Sequence, residues 1–185
     1  MNSLLESSTR RLFEIREILH WRVGLLQHKL CEVLVRNQVA APNPGLLAAM
    51  LKAQRLSGVM RWKVTFTESG FKGETNLAGW NGIWLETSAV KSVQEFIDVC
   101  ANQIGNPKLV GSSLVEFVET LLAGDEKLGS TCIAWSGWQD LIKSDSQAAL
   151  EITEAMEVAC QEGSNVVLVC DSVGSFPGIS ELSQG

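Results

Sequence analysis

The run Val166-Val167-Leu168-Val169-Cys170 is the strongest constraint on how this chain can fold. Successive side chains of a strand point to opposite faces, so a half-exposed strand alternates apolar with polar residues. This run does not alternate, and it therefore predicts a strand covered on both faces and central in its sheet. The rest of the chain can supply that cover. With 185 residues, 45% hydrophobic and 19% charged, it suits one domain of ordinary size with a substantial core.

Between Val59 and Thr87 the apolar period is two. Trp62, Val64 and Phe66 alternate with Lys63, Thr65 and Thr67, which predicts a half-buried strand. Residues 68–73 read as a loop, and Asn81-Gly82 as a hairpin turn that sets Trp80 against Ile83 and Gly79 against Trp84. Together these signals predict a three-stranded antiparallel meander. Strands near 131–135 and 165–170 extend it to a mixed sheet of about five strands with helices packed on it, an α+β fold. Helices are expected after Asn43-Pro44, over 88–104, from the capping box Ser113-x-x-Glu116, and over 146–162. The last of these turns Ala148, Ala149, Ile152, Met156, Ala159 and Cys160 inward, and Glu151, Glu154, Glu157 and Glu162 outward.

The first 38 residues carry a helical pattern with no proline and one interior glycine, Gly24. Leu5, Leu12, Leu19, Leu26 and Val33 recur at every seventh position, and Ile15 joins their stripe, as a helix-on-helix seam requires. One unbroken helix over residues 5–38 would be about 51 Å long, at 1.5 Å per residue. A compact domain of this size is roughly 40 Å across. The helix must break near Gly24 or pair with another chain, and pairing is the favoured expectation. The chain is thus read as an interaction helix over 1–41, an α+β domain over 42–171 and a flexible tail over 172–185.

Charge is divided by position. Through Lys72 there are eleven basic and five acidic side chains, and all seven arginines fall there; from Gly73 onward four lysines face sixteen carboxylates. Arg11, Arg22, Lys29 and Arg36 form a stripe beside the apolar seam, where paired helices place the charges that select a partner. A nucleic-acid backbone would also suit such a stripe, but Glu14 and Glu32 lie alongside it and the whole chain carries a net charge of −6. Protein pairing is therefore favoured over nucleic acid, and the partner is expected to be a second copy or another protein.

Enzyme chemistry finds little support. Five separated cysteines without a C-x-x-C pattern argue against a disulfide framework or a zinc knuckle, and suit buried thiols in the cytoplasm. His20 and His28, eight residues apart, cannot share a metal on one helical face. No catalytic residue, metal ligand or cofactor motif is identified, and no apolar run approaches the roughly 20 residues of a membrane span. A secretory signal is not expected either, because Leu4 and Leu5 are followed at once by polar and charged residues. One ligand-binding candidate remains: Asp171, Ser172 and Gly174, directly after the central strand, where open sheets collect ligands. The expected function is a non-enzymatic interaction or assembly subunit that oligomerises through its N-terminal helix. A small-ligand or enzyme site after strand 166–170, or polyanion binding by the basic stripe, are the alternatives.

Overall fold

The computed structural model describes residues 40–123, 130–161, 165–170, 176 and 178–182. The chain divides into two units, residues 1–38 and 39–185, and the described residues all belong to the second. The predicted N-terminal helix accordingly lies outside them.

Five strands form one sheet: β1 (Gly58–Arg61), β2 (Asn81–Glu86), β3 (Thr131–Ser136), β4 (Val166–Val169) and β5 (Ser180–Glu181), in the order β2-β3-β4-β1-β5. Every pairing is parallel. Six α-helices accompany them among the described residues: α1 (Leu46–Lys52), α2 (Glu68–Ala78), α3 (Val93–Gln103), α4 (Leu114–Ala123), α5 (Gln139–Ser144) and α6 (Ser146–Gln161). The architecture is α/β, and the expected α+β fold with an antiparallel meander is corrected.

The correction has a local cause. Thr67 accepts a hydrogen bond from Gly70 N–H (3.1 Å) and starts a helix where a loop was expected. Phe71 and Thr75, four residues apart, bury one side of that helix. Only Gly58–Arg61 of the preceding segment is a strand. The alternation of Trp62, Val64 and Phe66 belongs to an irregular stretch whose apolar side chains pack into the core. Asn81-Gly82 opens β2 and is not a turn. A β-carbon built on Gly82 would collide with Thr75 Oγ1, so this glycine permits α2 to sit close on the sheet.

Between β1 and β2 the chain moves one way along the sheet, and from β2 through β3 to β4 it moves back. Right-handed crossovers then place their helices on opposite faces. The helices are distributed accordingly. On one face Leu47 and Leu51 of α1 and Phe71 of α2 pack with Cys132, Ala134, Val166, Leu168 and Cys170. On the other, Phe96, Phe117, Leu141, Ile152 and Met156 pack with Leu85, Ile133, Trp135, Val167 and Val169. Strand β4 is buried along its whole length between β3 and β1, as its unbroken apolar run predicts.

Several helix signals are realised. Ser113 accepts from Glu116 N–H (3.3 Å) at the start of α4, and α6 buries Ala148, Ala149, Ile152, Met156 and Cys160. Glu157 differs from expectation: its carboxylate turns toward the sheet and accepts from Val59 N–H at 2.6 Å. The N-terminus of α1 is capped from a neighbour, since Glu74 of α2 accepts from Gly45 N–H (2.5 Å) and Ala48 N–H (3.0 Å). Within the stretch read as a tail, β5 pairs with β1 and Leu182 N–H donates to Arg61 O.

The close approach at Gly82 is testable by a double-mutant cycle. Gly82→Ala should destabilise the fold by about 1–3 kcal/mol through overpacking against Thr75. In a Thr75→Gly background the same substitution should cost less, as measured by urea denaturation. A penalty independent of residue 75 would contradict this account.

Candidate functional site

The partner-binding residues proposed from sequence (Leu5, Leu12, Ile15, Leu19, Leu26, Val33, Arg11, Arg22, Lys29 and Arg36) lie outside the described residues, as do Asp171, Ser172 and Gly174. What is described is the edge of the sheet on which the ligand candidates were placed. At the end of β1, Arg61 is fully buried. Its Nη1 donates to Trp62 O (2.9 Å) and Val169 O (2.7 Å), and its guanidinium carbon lies 5.1 Å from the centre of the Trp138 ring. Trp138 Nε1 in turn donates to Cys170 O at 2.8 Å. A buried cation needs such acceptors and an aromatic face to offset the loss of water. Arg61 thus clamps the carboxyl ends of β1 and β4. The sequence reading counted it only among the basic residues, because nothing local marks it as buried.

A second buried network closes nearby. Trp135 Nε1 donates to Thr87 Oγ1 (2.7 Å), and Thr87 Oγ1 donates to Ser136 O (3.1 Å), tying the ends of β2 and β3. Trp62, Trp135 and Trp138 are core residues, while Trp80 and Trp84 are half-buried against the core. Packing explains these tryptophans without a ligand.

Cys100, Cys132 and Cys160 are poor nucleophiles. Cys100, Cys132, Cys160 and Cys170 are all buried, and the first three are free thiols. Burial raises the Cys100 and Cys132 thiols far above their ordinary value, with Cys160 adding to the rise at Cys132. Burial pushes Cys160 up to about 12, and the Glu157 carboxylate adds to it. Such thiols stay protonated near neutrality. Among the described residues no group of His, Cys, Asp and Glu could hold a metal ion. No helix among them is long and apolar enough to cross a membrane.

Among the described residues, two surface grooves bear on binding. One, about 660 Å³, follows the open edge of β2 between α2 and α3, lined by Glu68, Lys72, Gly82, Trp84, Glu86 and Gln103 among others. Its upper end is already occupied. Gln103 Nε2 donates to Glu86 O (2.5 Å) and Gln103 Oε1 accepts from Glu86 N–H (2.9 Å), so a side-chain amide takes the place of a neighbouring strand. This shields part of an exposed edge from unwanted pairing.

The other groove, about 420 Å³, runs between α4 and α6 on the outer surface. Leu114, Val115 and Val118 line one wall, and Ala155, Val158 and Ala159 the other. Val115 and Val158 are each 60% exposed, which is unusual for large apolar residues otherwise placed in helices over a core. Glu119, Glu151 and Glu154 border the groove. Sequence placed Glu151 and Glu154 on the outer face of their helix but did not show that an apolar groove lay beside them. No known protein family, curated protein or solved structure matches this chain.

The thiol at Cys160 gives a pH prediction. Its folded-state pKa of about 12 lies above the ordinary 9.0, so the unfolded chain releases this proton first as pH rises. The associated stability is complete below pH about 9 and is lost as pH climbs toward the folded value. The urea midpoint should therefore fall between pH 8 and pH 10, and should fall less in Cys160→Ala. Equal falls in both proteins would refute the assignment.

Proposed function

We propose that this protein is a non-enzymatic assembly subunit that associates with a second copy of itself, in a reducing, cytoplasmic compartment. The observation that carries the reading is the groove between α4 and α6, where Val115 and Val158 stand exposed above a small apolar floor. Exposed apolar surface bordered by charge is the ordinary signature of a docking face. The seven-residue repeat of Leu5, Leu12, Leu19, Leu26 and Val33 supports the same reading from sequence. Buried free thiols suit the compartment.

Light scattering of the full chain at micromolar concentration should give a mass of at least twice the 20.1 kDa monomer. The double variant Val115→Asp/Val158→Asp, altered only at exposed positions, should retain its circular dichroism and lose the larger species. A monomer before and after substitution would overturn the reading.

One observation favours a second reading, a small-ligand site centred on Asp171. Strands β4 and β1 are neighbours, yet β1 leads to α2 on one face while β4 leads to Phe176 in the core of the other. Ligands collect at such a switch point in open parallel sheets. A panel of nucleotides, phosphates and carboxylates should then contain a compound that raises the melting temperature of the wild type and not of Asp171→Asn. A panel without effect on either protein would remove this reading.

A further inference from the structure

We propose that the element received by the α4/α6 groove is an amphipathic helix whose apolar face is bordered by arginine or lysine. This rests on the assembly reading and names the chemistry of the partner. The first argument concerns backbone. Both walls of the groove are helices, whose mid-helix N–H and C=O groups are already bonded within them. Beyond the first-turn N–H groups of Leu114 and Val115, an extended peptide laid there would find no main-chain partners for its own polar groups. A helix satisfies its backbone internally and offers only side chains, which is what this surface can accept.

The shape agrees. On α6 the floor is made by Ala155 and Ala159, one helical turn apart, with Glu151 one turn before Ala155 in the same row and Val158 beside it. Small residues at this spacing leave a channel into which the ridge of another helix can settle. Leu114, Val115 and Val118 complete the apolar lining from α4. That combination asks for leucine-like residues at positions i, i+3, i+4 and i+7 of the incoming helix.

Charge selects among such helices. Glu119 borders the groove from α4, and Glu151 and Glu154 border it from α6, whereas no lysine, arginine or histidine is among the lining residues. All three carboxylates are exposed. A helix with acidic flanks would meet like charge on both walls, while one with basic flanks meets opposite charge. Rim charges of this kind govern specificity, encounter rate and salt dependence more than total affinity.

The test uses the full chain and three labelled synthetic helices of 22 residues. One has a leucine seam with arginine flanks, the second replaces arginine with glutamate, and the third is the arginine helix with a central proline. Fluorescence anisotropy should show the arginine helix binding at least tenfold more tightly than either of the others, and more weakly at 500 mM than at 50 mM salt. Glu119→Gln/Glu151→Gln/Glu154→Gln should reduce the preference for arginine over glutamate to less than threefold. Val115→Asp/Val158→Asp should abolish binding. Equal binding of the arginine and glutamate helices, or tolerance of the proline, would overturn the inference. If no helix binds but the valine substitutions still dissociate the assembly, the inference falls and the assembly reading stands. If those substitutions leave the light-scattering mass unchanged, the assembly reading falls as well.

Discussion

Two-sided burial of β4 is the constraint on which the remaining structure depends. Val166, Leu168 and Cys170 belong to one core and Val167 and Val169 to the other, so the sheet must carry helices on both faces. Each buried valine or leucine contributes about 1.5–3 kcal/mol relative to exposure, a gain lost on whichever face is left open. A chain that first moves one way along the sheet and then returns provides both layers through crossovers of one hand. The position of α2 opposite α3 to α6 follows from that path, and α1 joins α2 on its face, held by Glu74.

Polar groups at the carboxyl edge are arranged to preserve this core. Arg61 joins the ends of β1 and β4 through two carbonyl oxygens and lies against Trp138. Thr87 mediates between Trp135 and Ser136 across β2 and β3. Hydrogen bonds buried in this way cost little once made and much if broken, which holds the strand ends in register. By contrast, the α4/α6 face leaves apolar side chains in solvent. Val115 and Val158 are each 60% exposed there and share one groove, whereas the exposed Leu77 and Val110 lie outside it.

The central strand was legible because an unbroken apolar run has one economical explanation in a globular chain. The start of α4 and the inner face of α6 were legible because capping and a 3.6-residue period act within a single element. Asn81-Gly82 misled for a physical reason. Glycine serves both tight turns and close packing, and the dipeptide does not reveal that Thr75 lies across from it. Glu157 was placed on an outer face by its period, yet it reaches Val59 N–H on a strand far away in sequence. The groove could not be read either, because Val115 and Val158 come from separate helices and only packing brings them together.

The sequence by itself determined that one strand is covered on both faces, that charge is segregated along the chain, and where several helices begin. These properties depend on short-range periodicity and on composition, which act before any long-range contact forms. Tertiary structure alone decided that the sheet is parallel, that Arg61 is buried within it, and that Glu119, Glu151 and Glu154 surround a common apolar groove. Those outcomes depend on which distant segments meet, and a strand's own residues do not encode the direction of its neighbour.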